Sequence, residues 1–284
     1  MAELESIFLT LSLVGIILSM LVLVVAFARR IRSGQATPAK PIDQQPGSQP
    51  VLGTLAIVLV VVSVLFMTAA IVSRMIQTGH GPFSNMYEFA LSFAWGIVIA
   101  GLVFRWRYQT NSVLAIGLFV ALLLLIFARV KYVRPTSLVP ALQQSTLLSI
   151  HVASAVVAYG TLTIGFGAAI LYLIQNRKKV FWLPDLDMLD AISYRAVVIG
   201  FPFLTLVIVL GALWADIAWG RYWGWDPKET ASLVTWLIYA AYLHARIMRG
   251  WKGAKASWLL IIGFAAILMT FFGNYIFTGL HAYG

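Results

Sequence analysis

Eight apolar segments, each about as long as one membrane crossing, dominate the pattern of residues along this chain. A run of roughly 20 apolar residues spans the hydrocarbon core of a bilayer as an α-helix. The pattern therefore predicts an all-α integral membrane protein, with residues 1–284 forming a single polytopic membrane domain. The eight predicted transmembrane helices lie at residues 7–28, 51–71, 86–104, 113–128, 147–174, 197–218, 231–247 and 258–277.

Basic residues between the apolar segments predict how the chain is oriented in the membrane. Fourteen lysines and arginines fall in the loops on one side, and six fall in the loops on the other. Because cytoplasmic loops carry the excess of basic residues, we expect the first side to be cytoplasmic, or stromal in a plastid. Both termini are then external. The same orientation places Glu88 near Arg74 and Arg134 on the external side, and we expect an ion pair with one of them.

Two connecting segments stand out from the short loops. Residues 33–50 are rich in proline, glutamine, glycine and serine, and we expect them to form a mobile cytoplasmic linker. Residues 178–193 carry three aspartates among apolar side chains, and we predict a short interfacial helix there. Neither segment is expected to take part in chemistry.

The composition supports the membrane assignment and excludes several functions. Apolar residues make up 61% of the chain and charged residues 11%, whereas about a quarter of the residues in soluble domains are charged. The net charge of +10 does not indicate nucleic-acid binding, because the basic residues form short clusters between apolar runs. The chain has no cysteine, which excludes a thiol-disulfide carrier, an iron–sulfur protein and a thiolate-ligated metal site.

The segment between the sixth and seventh predicted helices, residues 214–230, is the most informative part of the sequence. This tryptophan segment has four tryptophans within twelve residues, interspersed with glycines and with Arg221, Asp226 and Lys228. An interfacial belt is the ordinary role of tryptophan at a membrane surface, but this density exceeds what anchoring requires. Aromatic rings beside cations suit a flat apolar ligand with acidic edges. Haem, with its two propionates, is such a molecule.

Residues 219–230, Trp-Gly-Arg-Tyr-Trp-Gly-Trp-Asp-Pro-Lys-Glu-Thr, resemble the "WWD" signature of the haem-handling proteins of cytochrome c maturation. The chain as a whole is most similar to the CcsA/ResC-type subunit of the system II cytochrome c synthase. This resemblance extends from residues 81–88 through His151 to residues 279–283. It implies that haem lies against the tryptophan segment, where the residues expected to hold it or to orient the loop are Trp219, Trp223, Trp225, Arg221, Lys228 and Asp226.

The histidines are the candidate ligands of the haem iron. His151 begins the fifth predicted helix and His281 follows the eighth, so both are expected at the external surface. Neutral imidazoles bind haem iron well, from opposite faces of the macrocycle. The resemblance implies that His151 and His281 are the axial ligands of an externally held haem. It also implies that His244, roughly 22 Å from the external surface along its helix, belongs to an inner haem site completed by a partner subunit. His80 is interpreted as a loop residue.

The resemblance also implies a function. The chain is expected to export haem b, its substrate and bound ligand, and to present it for thioether attachment to the Cys-x-x-Cys-His motifs of apocytochrome c. The expected partners are a ResB/CcsB-type membrane subunit, apocytochrome c and, indirectly, thiol-reducing proteins, with no nucleic acid. The expected location is a bacterial inner membrane or a thylakoid membrane. Haem-lyase (synthase) activity is expected only of the whole complex.

Four other interpretations fit part of the sequence. A haem-containing electron-transfer subunit would hold its haem permanently between paired histidines. A transporter for another substrate would carry charges in the middle of several spans, whereas here the span centres are almost free of charge. A membrane regulator of haem synthesis would not need the tryptophan segment. The system I haem proteins share the signature but have fewer or many more spans.

Overall fold

The computed structural model describes residues 2–33, 50–135, 145–180 and 182–276, all of whose regular structure is α-helical. This confirms the predicted fold class. The predicted linker falls almost entirely on residues 34–49, outside the described residues. The eight helices are α1 (Ala2–Ser33), α2 (Pro50–Thr78), α3 (Met86–Tyr108), α4 (Asn111–Val130), α5 (Ser145–Lys178), α6 (Leu186–Trp219), α7 (Pro227–Met248) and α8 (Ala254–Ile276).

Seven of these helices, α1 to α6 and α8, are long and apolar enough to cross a membrane. Each coincides with a predicted apolar segment, and most extend beyond it by several residues. The chain is therefore an integral membrane protein. The helix α7 is less apolar, because Lys228 and Glu229 lie in its first turn and Arg246 lies in its last turn. Its 22 residues nevertheless give a length of about 33 Å, which matches the hydrocarbon core.

The helix α7 lies between α6 and α8 and is antiparallel to both. Near its middle, Trp236 Nε1 donates to Thr205 Oγ1 of α6 at 2.9 Å, while closer to its end Arg246 forms a bidentate ion pair with Asp190, earlier in α6. On the α8 side, the hydroxyl oxygens of Thr235 and Thr270 are 3.1 Å apart. The prediction that α7 is the seventh span is supported by this packing, since α7 accompanies two apolar spans along most of its length.

The predicted interfacial helix at residues 178–193 was wrong, because α6 begins at Leu186 and continues without a break through this region. The Asp185 side chain caps the helix by accepting a hydrogen bond from Met188 N at 2.7 Å. Leu189, Ile192 and Ala196 are fully buried on one face, and this helical spacing continues the apolar stripe of α6. The aspartates lie on the other faces of the same helix.

The helices alternate in direction, so their termini gather at two ends of the bundle. At one end, Phe27 of α1 contacts Trp182, with ring centroids 5.3 Å apart. At the other end, Glu5 of α1 and Arg74 of α2 meet Glu88 at the start of α3. The end that carries Glu5, Arg74 and Glu88 also contains a cavity, and we call it the cavity end. That the cavity end faces the non-cytoplasmic side stays a prediction from the basic residues.

Three charged side chains, Glu5, Arg74 and Glu88, form a buried ion cluster at the cavity end. None of them is more than 1% exposed. Arg74 Nε donates to Glu88 Oε1 at 2.8 Å, and Arg74 Nη1 lies 3.6 Å from Glu5 Oε1. The Tyr87 hydroxyl donates a further hydrogen bond of 2.7 Å to Glu5. Of the two pairings expected for Glu88, the one with Arg74 is therefore confirmed, and Glu5 is an additional member that the sequence pattern did not reveal.

The buried ion cluster also fixes two non-helical segments. Glu88 Oε2 accepts hydrogen bonds from the backbone N and the Oγ of Ser84, at 2.7 and 2.8 Å, and Asn85 Nδ2 donates to Glu88 Oε1 at 3.1 Å. On the other side, Arg74 Nη1 donates to the carbonyl oxygen of Val133 at 2.9 Å. The turn before α3 and the segment after α4 are thus both attached to the same charges.

Replacing Arg74 with methionine tests the buried ion cluster. This change leaves Glu5 and Glu88 buried without their cation, and removing one partner of a buried pair costs about 3–5 kcal/mol. We expect the free energy of unfolding of Arg74→Met, measured in detergent by tryptophan fluorescence, to fall by about that amount. Arg129→Met removes an exposed arginine near the same end and should change stability by less than about 0.5 kcal/mol. Equal stability of the two variants would contradict the structural role of the cluster.

Candidate functional site

A cavity of about 390 Å³ lies at the cavity end, within the usual size range of small-molecule sites. Helices α3, α5, α6, α7 and α8 contribute to its wall, together with the turn before α3, the segment after α4 and the loop between α6 and α7. The first two of these non-helical segments are the ones attached to the buried ion cluster. Most of the wall is apolar or aromatic, and includes Phe83, Phe89, Phe93, Val152, Ile208 and Phe271.

Of the three histidines that the structure describes, His151 lines this cavity. It lies in the second turn of α5, and its ring faces Gly211 of α6. A Cβ atom at position 211 would lie 3.1 Å from His151 Cε1, so the glycine makes room for the imidazole. The structure therefore places a half-buried imidazole beside apolar walls. His281, the second predicted ligand at this site, lies outside the described residues.

His244 is on a different surface. It is exposed on the face of α7 that also carries the exposed Leu237 and Met248. The opposite face of α7 buries Tyr239 and Tyr242 against the bundle. His244 therefore does not line the cavity and faces outward from the helices that the structure describes.

The tryptophans of the tryptophan segment form two edge-on pairs, and one member of each pair lines the cavity. Trp214 and Trp223 line it. Trp219 packs edge-on against Trp214, with ring centroids 4.8 Å apart, and the exposed Trp225 packs edge-on against Trp223 at 5.8 Å. Trp214 is the first residue of the tryptophan segment, but it was not among the residues predicted to hold haem. Its place in that segment, one turn after Gly211 on α6, was the signal that could have identified it.

The loop that carries Trp223 is held by backbone caps. Gly220 ends α6 in the left-handed region, at φ 72°, and its amide donates to Asp216 O at 2.8 Å. Asp226 caps α7 by accepting a hydrogen bond from Lys228 N at 2.9 Å. Glu229 accepts hydrogen bonds from the amides of Gly224 and Asp226, at 2.8 and 3.1 Å. Asp226, predicted to orient the loop, lies at the centre of this capping box.

Among the residues that the structure describes, two cationic side chains line the cavity, Lys131 and Lys228. Lys228 lies in the first turn of α7, with its Nζ 5.6 Å from the centre of the Phe89 ring. Lys131 caps α4 and was not among the predicted site residues, although it follows a predicted external helix end. The predicted cation Arg221 is exposed outside the lining and covers Gly224, where a Cβ would be only 2.7 Å from Arg221 Nε.

The lining residues indicate which chemical groups a ligand of this cavity would carry. Its walls are aromatic and aliphatic, two indole rings border it, and one imidazole and two ammonium groups reach it. Apolar pockets with a few convergent polar groups bind small molecules, and ammonium groups attract acidic ones. The arrangement therefore suits a mostly apolar small molecule that bears acidic groups.

Comparison with known proteins gives consistent matches. The family described as cytochrome C assembly protein matches residues 83–281. The cytochrome c biogenesis protein CcsA of Guillardia theta is 35% identical over 252 residues, which cover 79% of this chain and 83% of that protein. The protein of the same name from Prochlorococcus marinus (strain NATL2A) is 36% identical over 266 residues, with 80% and 84% covered. That from Chlamydomonas reinhardtii is 39% identical over 235 residues, with 78% and 66% covered.

Replacing Asp226 with alanine tests how the tryptophan segment is held. Loss of an N-cap side chain costs about 1 kcal/mol, so we expect the amides of residues 228–230 to exchange with deuterium about fivefold faster. Hydrogen-exchange mass spectrometry of the protein in detergent measures this rate. Asp187→Ala removes an exposed acidic residue from the first turn of α6 that is not the cap, and it should leave residues 228–230 unchanged. Unchanged exchange in Asp226→Ala would contradict the capping role.

Proposed function

The chain belongs to the cytochrome c assembly protein family, as a CcsA-type cytochrome c biogenesis protein, and we propose that it holds haem b in the cavity and presents it to apocytochrome c. In this proposal the cavity end faces the non-cytoplasmic side of a bacterial inner membrane or a thylakoid membrane. The single observation that carries the proposal is that His151 reaches a mostly apolar cavity bordered by Trp214, Trp223 and two lysines.

Each group of lining residues matches one chemical feature of haem. The aromatic and aliphatic walls match the apolar macrocycle, and the imidazole of His151 is a suitable axial ligand for its iron. The lysine ammonium groups provide counter-charges for the propionates. Trp219 and Trp225 pack edge-on against the two lining tryptophans. Their assignment to the haem surface, like that of Arg221, stays a prediction.

The second axial ligand is proposed to be His281. In the sequence, His281 follows α8, and the described part of α8 brings Thr270 and Phe271 to the cavity wall. The direction of α8 therefore leads the chain toward the cavity end. Two neutral imidazoles on opposite faces of the iron would hold haem in a six-coordinate state until transfer.

An inner site that includes His244 is proposed for haem on its way across the membrane. His244 is exposed on the outer face of α7, so a ligand on the other side of that haem would come from another polypeptide. A ResB/CcsB-type membrane subunit is the proposed source. This arrangement separates the two sites, with the inner one at an interface between subunits and the outer one within this chain.

The chemical step would take place between haem and the apocytochrome. Each thiol of a Cys-x-x-Cys-His motif adds across a vinyl group, forming one C–S and one C–H bond with no leaving group and no net oxidation. The chain would contribute binding, orientation and exclusion of water. The protein thiols have to be reduced beforehand, which is the indirect role proposed for thiol-reducing proteins. Synthase activity would belong to the complex.

The absorption spectrum of the purified chain tests the outer site. With haem bound, we expect the wild type to give the spectrum of a reduced, six-coordinate, bis-histidine haem. His151→Ala and His281→Ala should each weaken that spectrum, because each variant removes one axial ligand, and added imidazole should restore it by filling the vacated position.

His80→Ala is the matched control, since it removes a histidine that does not line the cavity and has no proposed ligand role, and it should leave the haem spectrum intact. Variants His151→Ala and His281→Ala that both match the wild type would refute the axial assignment. No ligated spectrum at saturating haem, even with the partner subunit present, would refute haem binding itself.

A further inference from the structure

We propose that the inner face of α7 binds a file of water molecules, the water file, which runs from the floor of the cavity to the ion pair of Asp190 and Arg246 at the opposite end. This site goes beyond the proposed function, because its ligand is water and its hydroxyl groups have no part in holding haem. A polar stripe on α7 and two buried tyrosine hydroxyls on that stripe carry the proposal.

The helix α7 turns polar side chains into the bundle and apolar side chains out of it. The inward stripe repeats every three or four residues and consists of Ser232, Thr235, Tyr239, Tyr242 and Arg246. The exposed stripe on the other side has the same spacing and consists of Val234, Leu237, Ala241, His244 and Met248. Polar groups inside a membrane protein face a partner or a water-filled space. The inward stripe therefore requires one of these along its whole length.

Two hydroxyl groups of the inward stripe have no such partner among the residues that the structure describes. Tyr239 and Tyr242 are each only 1% exposed, and no described side chain or backbone group forms a hydrogen bond with either hydroxyl. Lipid cannot solvate such a group, so leaving it unsatisfied is costly. Buried water is the usual partner of a polar group that the protein leaves unmet. Both hydroxyls therefore indicate internal water.

The inward stripe is continuous with the floor of the cavity. Ser232 and Tyr159 line the cavity, and the hydroxyl of Tyr239 interacts electrostatically with that of Tyr159. Thr270 of α8 also lines the cavity, and its Oγ1 is 3.1 Å from Oγ1 of Thr235. Each of these hydroxyl oxygens can accept a hydrogen bond from water. Water in the cavity can thus continue along the inner face of α7.

At its other end the inward stripe meets a pair of charges. The Tyr242 hydroxyl interacts electrostatically with Arg246 and Asp190, which form the bidentate ion pair between α7 and the start of α6. Arg246 also donates to Trp251 O at 3.1 Å, and Asp190 accepts from the amide of Gly253 at 3.0 Å. Because these groups bind one another and the nearby backbone, the ion pair closes the water file.

The space along the stripe suits water and is too narrow for haem. Successive stripe residues are about 4.5–6 Å apart along the helix axis, close to the span of one water that makes two hydrogen bonds of about 2.8 Å. The Tyr239 ring packs against Gly263 of α8, where a Cβ would be only 2.9 Å from Tyr239 Cζ. A macrocycle cannot follow the water file, so haem that moves from His244 to the cavity has to take another path.

Radiolytic footprinting of the purified full-length chain in detergent tests the water file. X-rays generate hydroxyl radicals from water, including bound water, and mass spectrometry measures which side chains the radicals oxidise. We expect Tyr239 and Tyr242 to be oxidised several-fold faster than Tyr87. Tyr87 is the matched control, because it is 0% exposed and its hydroxyl already donates to Glu5. Oxidation of Tyr239 and Tyr242 as slow as that of Tyr87 would overturn the proposal.

Tyr239→Phe gives a second readout, because a hydrated and a dry hydroxyl predict opposite effects. Removing a hydroxyl that binds water loses a hydrogen bond, and we expect the midpoint of thermal unfolding to fall by about 2–4 °C. Tyr87→Phe, which loses a hydrogen bond to Glu5, calibrates this effect. Removing a dry, unpartnered hydroxyl would raise the midpoint instead, and a higher midpoint in Tyr239→Phe would therefore overturn the water file.

The same variant separates a water file from isolated buried waters. Tyr239 lies between Tyr242 and the cavity on the inward stripe, so Tyr239→Phe should interrupt the file and slow the oxidation of Tyr242. Unchanged oxidation of Tyr242 in this variant would contradict a continuous file. A purely structural role of Tyr239 does not predict slower oxidation of Tyr242, because looser packing would admit more water and speed it.

None of these measurements uses haem, so the water file and the proposed function fail separately. If Tyr239 and Tyr242 are oxidised as slowly as Tyr87 while the wild type binds haem with histidine ligation, the water file is overturned and the proposed function stands. If both tyrosines are oxidised rapidly and the wild type does not bind haem, the water file stands and the proposed function is overturned.

Discussion

The buried ion cluster of Glu5, Arg74 and Glu88 is the interaction on which the shape of the cavity depends. Charges in an apolar bundle are tolerated only when they are paired and hydrogen-bonded. Glu88 meets this demand with Arg74 and with the Ser84 and Asn85 turn. Arg74 meets it partly with Val133 O. The need to satisfy three buried charges therefore fixes the turn before α3 and the segment after α4, two of the non-helical parts of the cavity wall.

A few backbone hydrogen bonds likewise fix the tryptophan segment. The glycine that ends α6 and the capping box that begins α7 give the intervening loop a defined path. That path turns Trp223 toward the cavity and leaves Trp225 exposed behind it. The dense run of tryptophans thus combines two tasks, since some rings line the cavity and others support those rings.

The sequence predicted those features that depend on apolar length and on alternating direction. Runs of about 20 apolar residues are enough to identify the spans, and alternation brings Glu88 to the same end as Arg74. The errors share a different cause, which is local backbone geometry. Nothing in the composition of residues 178–193 shows that the stripe of Leu189 and Ile192 continues into α6. Likewise, the sequence does not show that Arg221 covers Gly224 outside the cavity lining. Nor does it show that Lys131 lines the cavity.

The first two helices contribute to the site indirectly, through the buried ion cluster. The family match begins at residue 83, and every described residue that lines the cavity is residue 83 or a later one. Yet Glu5 of α1 and Arg74 of α2 complete the charge pairing of Glu88. Without them Glu88 would remain as a buried carboxylate with no cation, and the Val133 carbonyl would lose its donor. The helices outside the matched region are therefore part of what builds the site, although none of their described side chains touches it.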